Sequence, residues 1–330
     1  MDQRGPRLFF FSTLYTPFIE EDFRILSEIY AVRRIITQGF RALFQIPGEV
    51  RRSDIALAWF GSVYAGLLVL CARLFGKKSI VVVAGIDASK DPEIRYGIWL
   101  SPWKAVAVRY AFRNADRILV VDPFLAREVR RLAKYEGKNI VNIPFGFDGT
   151  RWHPGGGKGR SVVTIAACHD EWRMKKKGID KLFEAASDLP DVRFLVIGIN
   201  EHLIPEARRA APGNVDIVAY VPREDLLPYL QRAKVYCQPS YTEGLPNALC
   251  EAMLCACVPV GTNVGGIPTA IGDTGFIVPY GGRGALVGAL REALDSLPSK
   301  GDEARERILR EFTLERRRER LAQIVTELNR

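Results

Sequence analysis

Six cysteines among 330 residues are too few and too scattered for the disulfide framework of a small secreted domain. No Asn-x-Ser/Thr sequon occurs, and the apolar run Leu8 to Phe11 is soon followed by Glu20, Glu21 and Asp22. That pattern does not suit a signal peptide, and a cytoplasmic chain is expected. There is no zinc-finger spacing, no aromatic ribonucleoprotein signature and no run of five like charges, so nucleic acid is not expected as a partner. An Asp-x-Asp motif is absent too. Cys250, Cys255 and Cys257 have no fourth Cys or His nearby to complete a zinc site, so they read as small buried apolar residues, and no metal or cofactor is expected. Ile55 to Cys71 carries no charge over 17 residues, at the short limit for a membrane-spanning helix. Gly61-Ser62 interrupts it where a helix N-cap would sit, so it reads as a buried strand followed by an apolar helix.

What is present is the usage of a globular protein, with 48% hydrophobic and 26% charged residues in a length that suits two domains. The formal net charge of +9 is unevenly placed. Residues 1–150 hold 22 Lys and Arg against 15 Asp and Glu, whereas residues 151–330 hold 25 against 23. A basic surface attracts polyanions, so phosphorylated small molecules and anionic lipids are admissible partners. Arg33, Arg34, Arg41, Arg51 and Arg52 fall close together beside Phe40 and Phe44. That mix suits an interfacial helix whose basic face meets anionic headgroups.

Short apolar runs recur along the chain, at Leu8 to Ser12, Ile55 to Trp59, Ser79 to Ala84, Arg117 to Val121, Ile140 to Ile143, Val162 to Ala166, Val192 to Ile197, Val215 to Ala219, Val235 to Gln238, Val258 to Gly261 and Gly275 to Val278. Helical patterns such as Trp103 to Asn114, Pro123 to Tyr135, Ile179 to Ser187 and Arg223 to Ala233 separate them. Continuous apolar strands alternating with helices indicate parallel sheets covered on both faces, an α/β class whose ligands sit beyond the carboxyl ends of strands. The glycine-rich stretch near residues 149–160 reads as a linker between two such domains. Its glycines do not form a phosphate loop, since Lys158 is followed by Gly159, and no strand leads into G-x-G-x-x-G.

After the strand at Val235 to Gln238 comes Pro239-Ser-Tyr-Thr-Glu-Gly-Leu-Pro-Asn-Ala-Leu-Cys-Glu-Ala-Met253, in which Glu243 and Glu251 are separated by seven residues. Pro246 suits the first turn of a helix. A helix starting there presents free backbone N–H groups around Gly244 to Asn247, with the positive end of its dipole, to an anionic group. One carboxylate can then accept hydrogen bonds from sugar hydroxyls and the other can grip a ribose diol. The plain alternative is a capped helix with two exposed carboxylates.

Glu243-Gly-Leu-Pro-Asn-Ala-Leu-Cys-Glu-Ala-Met253, with Val258-Pro-Val-Gly-Thr-Asn-Val-Gly-Gly-Ile-Pro268, resembles the E-x7-E signature and glycine loop of retaining GT-B glycosyltransferases of family 4, the glycosyl transferases group 1. Lys177-Gly-Ile-Asp180 is similar to that family's K-G-x-D, Phe145-Gly-Phe-Asp148 to its interdomain segment, and Tyr220 to Leu226 to its loop beside the nucleotide base. The likeness covers about residues 115 to 330 well and residues 1 to 114 loosely. It implies two Rossmann-like, doubly wound parallel-sheet domains facing a cleft. Residues 1–150 would form the acceptor domain and residues 151–311 the nucleotide-sugar donor domain, with a last helix at about 312–330 packing back on the first domain.

The resemblance also implies roles. Glu251 would bind the donor ribose, Glu243 the transferred sugar, the segment Gly244, Leu245, Pro246 and Asn247 the sugar and phosphates, and Tyr220 and Val221 the base. Lys177 and an upstream arginine would neutralise the diphosphate leaving group. The family's Gly-x-Arg is replaced here by Cys168-His-Asp-Glu-Trp-Arg-Met-Lys-Lys-Lys177, and Arg173 is the expected partner because its charge is permanent and its fork suits phosphate oxygens. The first domain lacks both the family's Gly-Gly loop and its histidine. Asp87 takes the histidine's slot by position, either orienting a sugar hydroxyl or capping a turn as an ordinary strand-end Asp. Trp59-Phe60-Gly61 reads as an acceptor platform or as core.

The expected activity is therefore metal-independent, retaining transfer of a hexosyl unit from a UDP- or GDP-sugar to a sugar or lipid-linked acceptor, with a peripheral contact on anionic membrane at the inner face of the cell. A sugar-nucleotide epimerase of the same architecture and a non-catalytic GT-B subunit are the alternatives.

Overall fold

The structure is a computed structural model describing residues 5–330. The described residues form two compact units, one of the residues up to Phe145 with Leu314–Arg330, the other of Gly146–Thr313.

The first unit runs β1 (Leu8–Ser12), α1 (Pro17–Ser27), β2 (Val32–Ile36), α2 (Phe40–Arg52), β3 (Ile55–Trp59), α3 (Val63–Leu74), β4 (Lys78–Val83), α4 (Pro102–Asn114), β5 (Arg117–Val120), α5 (Pro123–Ala133) and β6 (Ile140–Asn142). Its six strands are parallel in the order β2-β1-β3-β4-β5-β6. All five residues of β1 and of β3 are buried, which is why these strands read as unbroken apolar runs. The uncharged stretch resolves into β3 and α3, and Ser62 caps the helix by accepting from the Ala65 N–H at 3.2 Å.

Strand β2 was not expected from the sequence, and it corrects the reading of the arginine cluster. Arg33 and Arg34 lie on this edge strand rather than on a helix, where Arg33 pairs with Glu49 of α2 at 2.6 Å and Arg34 with Glu20 of α1. An edge strand paired on one side tolerates charge, so its sequence carries no apolar run. Arg52 also lies within 3.6 Å of Glu49.

The second unit runs β7 (Gly159–Cys168), α6 (Glu171–Lys176), α7 (Ile179–Ser187), β8 (Arg193–Ile199), α8 (Ile204–Ala210), β9 (Val215–Val218), α9 (Leu227–Arg232), β10 (Ala233–Gln238), α10 (Asn247–Leu254), β11 (Val258–Thr262), α11 (Ile267–Ile271), β12 (Phe276–Val278), α12 (Arg283–Asp295) and α13 (Ser299–Glu311). Its sheet is parallel in the order β12-β11-β10-β7-β8-β9, so the direction of winding reverses between β10 and β7. That switch point is where α/β sheets leave a crevice at their carboxyl edge.

The chain enters the second unit at Gly146, ahead of the expected linker. The expected linker is itself packed: Trp152 is 1% exposed, and Arg305 donates to the carbonyls of Trp152 and Gly149 at 3.0 and 3.2 Å. The last helix, α14 (Leu314–Leu328), belongs to the first unit. There the buried Arg317 donates from Nε and Nη2 to the two oxygens of buried Asp22 at 2.5 and 2.6 Å, and from Nη1 to the carbonyls of Ile143 and Pro144. All six cysteines are buried free thiols.

Candidate functional site

The loops after β7 and β10 meet at the switch point of the second sheet. Gly178 makes the approach possible: at φ +66°, a Cβ there would lie 1.9 Å from the Pro239 carbonyl oxygen. The Tyr241 N–H donates to the Lys176 carbonyl at 2.8 Å and ties the loops together. Lys177 Nζ then donates to Glu243 Oε1 at 2.6 Å. Ser240 Oγ and Gln238 Nε2 donate to the same oxygen at 3.0 and 3.2 Å, and the buried Tyr236 hydroxyl donates to Gln238 Oε1 at 3.1 Å. Burial raises the Glu243 carboxyl, but the Lys177 and Lys176 ammonium groups and these donors outweigh it and hold it below the usual range. Burial likewise pushes the Lys176 ammonium down.

The glycine loop closes the other side. Gly265, at φ +54°, has room for no side chain, because a Cβ would sit 1.9 Å from the Glu243 carbonyl oxygen. The Gly266 N–H donates to the Gly244 carbonyl at 2.9 Å. Helix α10 begins at Asn247 with Pro246 as N-cap rather than in the first turn, one residue later than the sequence suggests. Leu245 and Pro246 are buried, while Gly244 and Asn247 are partly accessible.

Glu251 is not an exposed carboxylate. It is 3% exposed, and its Oε1 accepts from Arg223 Nε at 2.7 Å and forms an ion pair with Nη2 at 2.5 Å. Burial pushes its carboxyl up, against the opposing pull of Arg223 and Arg151. The Arg223 guanidinium lies 5.6 Å from the Trp152 ring centroid and that of Arg151 lies 5.5 Å from it. Arg223 was missed in the sequence. It stands inside the Tyr220 to Leu226 segment, but nothing local marks it as the partner of a carboxylate 28 positions away. Of the two residues expected beside the base, Tyr220 is 68% exposed and Val221 is half-buried.

Arg173 sits on the short helix α6, capped by Asp170, with its guanidinium 3.8 Å from Asp170 and 5.2 Å from the Trp172 ring centroid. It is close enough to Lys176 to help depress that ammonium, which places it on the same loop cluster as Lys177.

Asp87, in the first unit, shows the capping contacts of the second of the two readings the sequence left open. It is 0% exposed; Oδ2 accepts from the Gly61 N–H at 2.9 Å and Oδ1 from the Gly85 and Ala84 N–H groups at 2.9 and 3.2 Å. Its backbone carbonyl accepts from the Trp99 indole at 2.8 Å. Burial pushes the carboxyl up to about 6 against those N–H donors. Its oxygens accept from backbone, so it caps the turns at the ends of β3 and β4. Trp59 is likewise core, 0% exposed and stacked on Phe145 at 6.2 Å.

Lysine, two carboxylates, a helix N-terminus and a glycine loop therefore converge at the switch point. Residues 160–296 match the family model of Glycosyl transferases group 1. A D-inositol 3-phosphate glycosyltransferase from Mycobacterium sp. (strain KMS) is 30% identical over 224 residues, which is 61% of this chain and 48% of the relative. The chain thus spans about half the length of the curated relatives it first matches. Among solved structures, a sucrose-phosphate synthase from Thermosynechococcus elongatus is similar with a TM-score of 0.77 at 17% identity, covering 98% of this chain and 99% of that one. Anabaena HepE in complex with UDP has a TM-score of 0.79 at 13% identity, covering 97% of this chain and 100% of that one. The fold is GT-B, with two Rossmann-like parallel sheets flanked by helices.

Proposed function

We propose that this chain is a group 1 glycosyltransferase that moves a hexosyl unit from a UDP- or GDP-sugar to an acceptor hydroxyl with retention at the sugar carbon. The observation that carries this reading is the Lys177–Glu243 contact of 2.6 Å at the β7/β10 switch point, beside the N-terminus of α10 and the glycine loop. The complex of HepE with UDP is consistent with a nucleoside diphosphate donor.

In this mechanism the glycosyl carbon–oxygen bond breaks and its electron pair leaves on the diphosphate. The acceptor oxygen bonds the same face of the carbon, and its proton passes to the departing phosphate. Lys177, Arg173 and the first N–H groups of α10 stabilise the growing leaving-group charge. Glu243, held ionised, accepts from hydroxyls of the transferred sugar, and Glu251 from those of the ribose. Leaving-group stabilisation is assigned to these cations and amides.

We further propose a lipid-linked acceptor reached from a membrane surface. Among the described residues no helix is long and apolar enough to cross a membrane. Helix α2, however, buries Ala42, Ile46 and Val50 on one side while Phe40 and Phe44 stand 81% exposed on another, with Arg41 and Arg51 as exposed cations.

Incubation with a panel of radiolabelled UDP- and GDP-sugars and lipid-linked or free sugar acceptors tests the activity. Release of nucleoside diphosphate with a glycosylated product is expected. Isomerised donor would mean an epimerase, and binding without turnover a non-catalytic subunit.

A further inference from the structure

Within its own unit, Glu251 has a charged partner. Arg223 Nε donates to one oxygen, Oε1, at 2.7 Å and Nη2 lies 2.5 Å from the same atom, so the contact anchors Oε1 without taking up Oε2. Arg223 is itself fixed from below by the buried Trp152 ring. It is only partly buried, with its side chain 32% exposed, whereas Glu251 beneath it has lost nearly all contact with water. A carboxylate in that position has no solvent to orient it, and its rotamer and ionisation depend on the groups packed around it.

We propose that Arg223 is a positioning residue that holds Glu251 as an oriented acceptor for the cis-diol of a nucleotide ribose. This rests on the donor-site reading of Glu251. The ionisable groups near Glu251 are Arg223, Arg151, Tyr236, Cys250 and Cys255. Burial raises the pKa of Tyr236, Cys250 and Cys255, so they stay neutral near pH 7. Arg223 and Arg151 are then the charges that oppose burial and favour the ionised form of Glu251, and Arg223 is the one in contact with it. Without Arg223, burial acts on Glu251 with little opposition, and the carboxyl gains its proton at a higher pH. A protonated carboxyl offers the diol fewer acceptor sites.

The test is calorimetric titration of the full chain with UDP and GDP and with their 2′-deoxy counterparts. The wild type should favour the ribonucleotide by about ten-fold or more, the scale of a hydrogen bond to a charged group. Arg223→Met, which keeps an apolar contact with Trp152, should lose about that factor for the ribonucleotide and little for the deoxynucleotide, so the discrimination collapses. Arg223→Lys should restore part of it. On acidification the ratio of ribo- to deoxynucleotide affinity should fall at a higher pH in Arg223→Met than in the wild type. The deoxynucleotide carries the same phosphates and so controls for their titration. Equal losses for both nucleotides would show that Arg223 acts on base or phosphate and overturn the proposal, as would unchanged discrimination. If Arg223→Met does not melt cooperatively, Arg223→Lys carries the same comparison: a partial or full loss of discrimination supports the proposal, and unchanged discrimination overturns it. Wild-type protein that binds neither UDP nor GDP would overturn the donor-site reading itself, and this inference with it.

Discussion

At the residue scale, Lys177 and Glu243 share one hydrogen bond of 2.6 Å, and the carboxylate is the more buried partner. Glu243 is held below its ordinary 4.5, so its native charge stabilises the fold above that value, and the contribution is lost as pH falls through the folded one. Replacing Lys177 by Met leaves a buried carboxylate whose desolvation is no longer outweighed, and its pKa rises. Lys177→Met should therefore destabilise the chain by roughly 1.5–3 kcal/mol near neutrality and by less near pH 4, where the carboxyl is protonated. Urea unfolding at the two pH values checks this, and an equal loss at both would sink it. Asp87 behaves with the opposite sign. Its folded value of about 6 lies above the ordinary 3.8, so the wild type gains stability as pH drops from above 6 toward 4. Asp87→Ala orphans the Gly61, Gly85 and Ala84 N–H groups and should cost roughly 3 kcal/mol, with a wider gap from wild type at pH 5 than at pH 7.5. A gap that narrows at low pH would contradict this account of Asp87.

At the scale of elements, α14 is held to the first unit by a charge as well as by its apolar stripe. Leu321, Ile324, Val325 and Leu328 are buried along one face, and the Arg317–Asp22 pair is buried beside them. Removing one partner strands the other, so Arg317→Ala should destabilise the first unit by roughly 3–5 kcal/mol. The double variant Arg317→Met with Asp22→Leu should recover much of that loss in denaturant unfolding. Helix α2 offers a different test. Phe40→Ser with Phe44→Ser changes two exposed side chains and should leave folding intact while weakening sedimentation with anionic vesicles. Arg41→Glu should add to the loss at low salt. Arg33 and Arg34 are poor probes because their substitution breaks ion pairs to Glu49 and Glu20. Equal recovery of wild type and the Phe variant from vesicles would end the membrane reading and leave the transferase reading standing.

At the scale of the whole molecule, two parallel sheets each wind in both directions from a switch point, and the expected donor groups all lie in the unit of residues 146–313. A nucleoside diphosphate at about 100 times its Kd should stabilise that unit by about 2.7 kcal/mol. Hydrogen exchange should show the gain on the segments 168–178, 220–226 and 239–247. Protection appearing elsewhere in this unit and absent from these loops would move the site.

Much of this was legible beforehand because the signals are local. A fully buried parallel strand such as β3 is apolar throughout, and the seven-residue spacing from Glu243 to Glu251 places a helix start between two carboxylates. The glycines at 178 and 265 stand where backbone passes within 2 Å of where a Cβ would be. What the sequence did not contain were pairings between distant segments. Strand β2 is charged because it lies at an edge, a property of sheet order and not of its own residues. Whether Asp87 faces a ligand or three backbone N–H groups depends on where Gly61 lies, and Arg223 becomes the partner of Glu251 only when its segment, seated over Trp152, meets helix α10. Burial decides such cases, since a carboxylate removed from water must be satisfied by whatever the tertiary fold brings within reach.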